Sequence, residues 1–154
     1  MKESKEHFKK LEEIKSFLEN QSIEEFRKTT TPNDILLYRD YGILVLRNNK
    51  QIIKNISYFS KEDLDLIKNH KWHLAGNERS VETHINKKNI KMHHFILNFK
   101  YDKKVDLEVD HINRNHFDNR RENLRIVSRS INQQNKSCSI KIKVRGEEHI
   151  FYME

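Results

Sequence analysis

Apolar positions along the chain repeat first at helical spacing and then at strand spacing. Phe8, Leu11, Ile14 and Leu18, with Phe17 beside them, fall three and four residues apart among Lys and Glu, so the first 28 residues read as helix with one narrow apolar stripe. Ser22 with Glu25 forms a capping-box pattern that opens a second short helix running to about Lys28. Thr29 to Asn33 breaks the pattern and contains the only proline, Pro32, which marks a linker. Docking on the core is the expected use of the stripe; pairing with a second subunit and contact with nucleic acid are the alternatives.

From about Asp34 the period shortens to that of strands. Ile43 to Leu46 and Gln51 to Ile53, joined through Asn48-Asn49, predict a β-hairpin, because Asn tolerates positive φ. Ser60 to Asp63 reads as a cap before a short helix carrying Leu64 and Ile67, and Trp72 and Leu74 are candidate core residues. Gly76-Asn77 turns the chain into a strand over Val81 to Ile85, Asn86 to Asn89 turns it again, and Met92 to Leu97 suits a short buried helix. Farther on, Leu107 and Val109 alternate with acids as in a strand. Asn113 to Asn123 is too long and polar for a tight turn, Leu124, Ile126 and Val127 form a second strand, and Ser128 caps a helix to about Lys136. Ile140 to Val144 and His149 to Tyr152 around Gly146 predict a final hairpin.

Composition narrows the class. A chain of 154 residues with 35% hydrophobic content supports one core of ordinary domain size, with a small appendage at most. Cys138, the single cysteine, excludes an internal disulfide and a cysteine-rich structural zinc cage. No apolar run approaches the roughly 18 residues that span a bilayer, and no apolar segment follows the charged N-terminus, so no membrane partner and a cytoplasmic location are expected. Net charge is +7, and residues 86–136 hold 12 Lys and Arg against 6 Asp and Glu, which places six of the seven surplus positive charges in one third of the chain. Such a local surplus suits a phosphate backbone, although basic surfaces also serve plain solubility.

That basic third contains a constellation with chemical content. Asp110-His111 is followed twelve residues later by Asn123 and nine beyond that by Asn132, all within a β-loop-β-α unit. Hydrolysis of a phosphodiester requires a deprotonated water on one side of phosphorus and a charge sink for the leaving oxygen on the other. Histidine, with an unperturbed pKa near 6.5, suits the first task as general base, which makes His111 the candidate. A hard divalent cation suits the second; Mg²⁺ takes one or two protein oxygens and keeps several waters, and Asp110 and Asn132 offer a carboxylate and an amide oxygen. Neighbours on a strand face opposite ways, so Asp110 and His111 serve one site only if the strand ends or bends between them. Asn123 is expected to bond backbone groups of the long loop and hold His111; Asn113 and Asn119 rank below it.

Asp110 to Asn113, Asp118 to Arg125 and Ser128 to Asn132 resemble the HNH endonucleases of the ββα-metal group, in particular the His-Asn-Asn branch of phage and homing enzymes. Lys71-Trp72-His73 and Met92 to Ile96 resemble segments that precede the motif, so the likeness spans about residues 55–136. The resemblance implies an α+β fold: a ββα-metal core over about 105–136 within a nuclease domain of 34–136, an N-terminal helical extension (1–30) and a C-terminal hairpin tail (137–154). It implies His111 as general base, Asp110 and Asn132 as ligands of Mg²⁺, with Mn²⁺ as substitute, and Asn123 as the structural middle Asn. His93 matches a histidine often found ahead of the motif.

Many relatives continue into a separate DNA-reading module, which residues 137–154 do not resemble. Affinity for double-stranded DNA is therefore expected mainly from phosphate contacts, supplied by Lys87, Lys88, Lys91, Arg114, Arg120, Arg121, Arg125 and Arg129, in a monomer or homodimer. Arg121 could equally pair with Glu122 or another acid. His70 and His73 lack further ligands at matching distance, and His7, His84, His116 and His149 carry no pattern. A non-catalytic nucleic-acid-binding protein on the same scaffold is the alternative; a nuclease acting on RNA ranks third.

Overall fold

A computed structural model describes residues 2–19, 32–137, 139–144 and 147–152. The second helix and most of the linker expected between Ser22 and Thr31 lie outside these residues, as do Cys138 and the turn at Gly146. The fold is α+β, with short helices among small, mostly antiparallel sheets.

Helix α1 (Lys2–Glu19) is followed by strands β1 (Ile35–Leu37), β2 (Tyr41–Arg47) and β3 (Ile53–Ser60). A 3₁₀ turn (Lys61–Asp63) leads into α2 (Leu64–Ile67). Strands β4 (Trp72–Leu74), β5 (Val81–Ile85) and β6 (Lys88–Lys91) make a three-stranded antiparallel sheet. After α3 (Met92–Ile96) come β7 (Glu108–His111), the two-residue β8 (Asp118–Asn119), a 3₁₀ turn (Arg121–Asn123), β9 (Leu124–Val127) and α4 (Arg129–Ser137). Strands β10 (Ser139–Val144) and β11 (Glu147–Tyr152) pair antiparallel.

Strand β2 shows why a continuous apolar run can be a strand. Ile43 and Val45 face α1 in one cluster with Leu11, Ile14, Leu18, Ile53 and Ile56, whereas Leu44 and Leu46 face the main core with Phe59, Ile67, Trp72, Met92, Val109 and Leu124. Both faces are covered, so polar alternation is absent. Each of these side chains contributes about 1.5–3 kcal/mol by leaving water. Gly42 is required by this packing, since a Cβ there would stand 2.2 Å from the end of the buried Phe59 ring.

The stripe on α1 docks on the sheet but starts one residue earlier than the apolar pattern indicates. Phe8 is 62% exposed, and His7 takes the inward place: its Nε2 bonds Asn55 Oδ1 at 2.7 Å and its ring stacks on Phe117. Positions 7, 11, 14 and 18 share one helical face, and a histidine that finds amide partners is as acceptable there as a hydrocarbon. The β2–β3 connection also differs in detail, because positive φ falls on Gln51 while the Asn48 side chain accepts from the amides of Lys50 and Ile52. In the next hairpin Asn86 and Lys87 both take positive φ, so Lys88 already belongs to β6. Asn33, expected in the linker, clamps β2 and β4: its Oδ1 accepts from Trp72 N at 2.8 Å and its Nδ2 donates to Trp72 O at 2.9 Å.

Candidate active site

Strands β7 and β9 form a two-stranded antiparallel ribbon with Asp110 opposite Arg125 and His111 opposite Leu124. Pairing continues past His111, since Ile112 N donates to Asn123 O at 2.9 Å. The strand therefore does not end between Asp110 and His111, and the two residues occupy oppositely facing positions. Glu108 and Asp110 share one face and Val109 and His111 the other. The break expected at this point falls later, where Arg114 takes positive φ and its N–H donates to His111 O.

The polar loop from Ile112 to Asn123 is held by its own amides. Asn123, buried, accepts from Asn113 N at 2.9 Å through Oδ1 and donates to Asp118 O at 2.8 Å through Nδ2, tying both ends of the loop together. Asn113 Nδ2 donates to Asp118 Oδ2, and Asn115 Oδ1 accepts from Phe117 N. Asp118 is 2% exposed, and its charge is met by the Arg120 guanidinium through Nε at 2.8 Å and Nη2 at 2.7 Å. The same loop yields β8, which pairs in parallel with Tyr58 and Phe59 of β3 and so enters the main sheet.

That pairing carries Asn119 beneath His111. His111 Nε2 lies 2.9 Å from Asn119 Oδ1, and the Asn119 amide nitrogen lies 3.0 Å from Ser57 Oγ and 3.4 Å from Met92 Sδ. The contact to His111 thus belongs to Asn119 and not to Asn123. Ser57 gave no sequence signal, because a serine between apolar strand residues is equally common on a solvent face. The His93 ring meets that of His111 edge-on at 4.7 Å between centroids, and exposed His116 stacks on its other side at 5.1 Å. His111 is buried among imidazoles and an amide. Burial pushes its pKa down to about 4 against the upward pull of the Asn119 bond, and burial with the neighbouring imidazoles pushes His93 down to about 2. Half-buried His94 is lowered to about 4, first by burial. All three rings are neutral near pH 7.

On the opposite face, the Asn132 side chain of α4 reaches back to β7 and donates through Nδ2 to Glu108 Oε1. Among the described residues its Oδ1 is buried without a hydrogen-bond partner. An orphaned buried carbonyl oxygen beside Glu108, on the face that also carries Asp110, is a donor set suited to a hard cation. Among the described residues no group of three or more His, Cys, Asp and Glu is arranged to hold a metal, so such an ion would rest on one carboxylate and one amide with water or phosphate completing its shell. Asp110 is 4% exposed, and Arg125 Nε donates to its Oδ2 at 2.9 Å.

The basic residues divide into two sets. Lys87, Lys88 and Lys91 are exposed on the β5–β6 hairpin. Arg120 serves Asp118 and Glu122; Arg121 grips buried Asp63 through Nε and Nη2 at 2.8–3.0 Å; Arg125 serves Asp110. Arg129 Nη2 donates to the carbonyls of Asp102, Lys103 and Val105 and its guanidinium lies over Tyr101. Arg114 is partly buried in the loop. Arg120, Arg121, Arg125 and Arg129 are engaged with partners that tie the site segment together, whereas Lys87, Lys88 and Lys91 stand exposed on their hairpin.

Residues 103–134 match the family model of the HNH endonucleases, a span that covers β7, the polar loop, β9 and the start of α4. No curated protein and no solved structure matches the chain. The family match supports a nuclease, and with it a nucleic-acid partner. Among the described residues no helix is long and apolar enough to cross a membrane.

Proposed function

We propose that the protein is a metal-dependent DNA endonuclease of the ββα-metal type, in the His-Asn-Asn branch typical of phage and homing enzymes. The observation that carries this reading is the buried Oδ1 of Asn132, without a hydrogen-bond partner among the described residues, on the face of β7 that bears Asp110 and within the segment that matches the family. Asp110 and Asn132 would hold Mg²⁺ or Mn²⁺. Such an ion, when bound, supplies Lewis-acid stabilisation of charge on the leaving oxygen.

The chain's own residues do the rest. His111, neutral at cellular pH because burial disfavours its charged form, accepts a proton from water; the water oxygen bonds to phosphorus as the bond to the leaving oxygen breaks. Asn123 keeps the loop closed so that this ring stays at the end of β7. The scissile linkage must lie across that strand end for side chains of both faces to reach it. Lys87, Lys88 and Lys91 meet neighbouring phosphates, and binding falls with salt by roughly 0.9 log units per neutralised phosphate for each tenfold rise. The products are nicked duplex from a monomer or a double-strand cut from a dimer, in the cytoplasm of the host cell.

Plasmid relaxation with Mg²⁺, Mn²⁺ and EDTA tests the reading. His111→Ala should lower nicking by at least about 10²-fold, the lower end of what a general base contributes, with DNA affinity unchanged. Wild-type nicking that survives EDTA, or a His111→Ala enzyme as active as the parent, defeats it.

A further inference from the structure

Resting on that reading, we propose that Asn119 and Ser57 are positioning residues that fix the proton of neutral His111 on Nε2. The basic lone pair of the ring is then on Nδ1.

Donors and acceptors are fixed in turn through a chain of buried groups on separate elements. Methionine sulfur has no proton to give, so the edge of the Asn119 amide that faces Met92 Sδ at 3.4 Å must be its NH₂. The same edge faces Ser57 Oγ at 3.0 Å. The one hydroxyl proton of Ser57 has two acceptors, Phe117 O at 2.9 Å and Met92 Sδ at 3.6 Å, and given to either it leaves Oγ to accept from Asn119. Two acceptors therefore agree on the orientation of the amide, and its Oδ1 is turned to His111 Nε2 at 2.9 Å. An amide oxygen accepts only, and an approach this short requires a proton on Nε2.

Rotation of the amide would set Oδ1 against Met92 Sδ and Ser57 Oγ at once. Ser57, Met92 and Asn119 are all wholly buried, so no water can relieve that conflict. When the ring gains a second proton during turnover, its charge strengthens the existing Nε2–H···Oδ1 bond, and the loop need not rearrange. Asn119 owes its place to the pairing of β8 with β3, and Ser57 shares with Phe59 the face of β3 that is turned to the main core.

The experiment uses the full-length protein, free of metal and DNA, with 15N-labelled histidine. Long-range 1H–15N correlation spectra report which ring nitrogen carries the proton, and His111→Gln identifies the His111 signals. Near pH 7.5 the wild type should show His111 protonated at Nε2. Asn119→Ala should release the ring into a mixture of both forms, and kcat for plasmid nicking should fall on the order of 10²-fold while KM stays within about twofold. Ser57→Ala removes one oxygen and keeps the packing, so it answers should Asn119→Ala fail to fold; it should weaken the Nε2–H preference and lower kcat about fivefold.

His111 protonated at Nδ1 in the wild type, or a ring proton unmoved in the folded variants, overturns the assignment. Because the spectra need neither metal nor DNA, that result is separate from loss of the nuclease reading, which the plasmid assay decides.

Discussion

Acidification should unfold this protein through His93 and His111. Both are buried, at 7% and 5% exposure, and both have folded-state pKa values far below the 6.5 of a free imidazole, about 2 and about 4. Between the folded and unfolded values the unfolded chain binds more protons, so stability rises with pH across that window and is lost as pH falls through it. Full stability is present above about pH 6.5. At pH 5 an unfolded histidine is almost fully charged while the folded rings remain neutral, a difference of about 1.5 pH units at 1.36 kcal/mol each, or about 2 kcal/mol per ring. The pair thus removes about 4 kcal/mol, a large part of the 5–15 kcal/mol that holds a domain together. Urea titrations in EDTA at pH 7.5, 6 and 5 measure this; half-buried His94, also lowered to about 4, adds to the loss, so His93→Phe should remove about a third of the dependence. A midpoint constant from pH 7.5 to 5 would show that the rings are solvated in solution and refute the reasoning.

Divalent metal should stabilise the folded state by linkage, about 2.7 kcal/mol at a concentration one hundred times Kd; a thermal melt should show this rise for the wild type and none for Asn132→Ala. Arg125→Gln should tighten Mn²⁺ binding several-fold in calorimetric titration, because the guanidinium on Asp110 Oδ2 competes for the same carboxylate; weaker binding would mean that Arg125 orients the ligand instead. Gly42→Ala should lower stability by about 1–3 kcal/mol, since the new methyl meets at 2.2 Å a Phe59 ring that is wholly buried in the core; urea denaturation close to the parent would show that the core yields there.

The match over residues 103–134 falls on the stretch that was most legible from sequence, and the reason is local. Strand, polar loop, strand and capped helix follow one another within about thirty residues, so Asp110, His111, Asn123 and Asn132 could be put into one unit by spacing. The bonds of Asn123 to Asn113 and Asp118 lie wholly inside that unit. The cations were less legible. Charge counting finds the basic segment but cannot tell Lys88, which stands in solvent, from Arg121, whose partner Asp63 is 58 residues away.

By itself, then, the sequence determined most of the described helices and strands, the inward Leu11, Ile14 and Leu18 of α1, the apolar run of β2, and the residues from which a hydrolytic site could be made. Tertiary structure alone decided that His7 replaces Phe8 on the docked face, that β8 slips beside β3, and that Asn119 meets Ser57 across 62 residues. The difference has a physical basis. Hydrophobic burial is non-directional and repeats with the backbone, so it is written in periodicity. A buried polar group is tolerable only where a specific partner meets it, and that partner is chosen by the packing of distant segments.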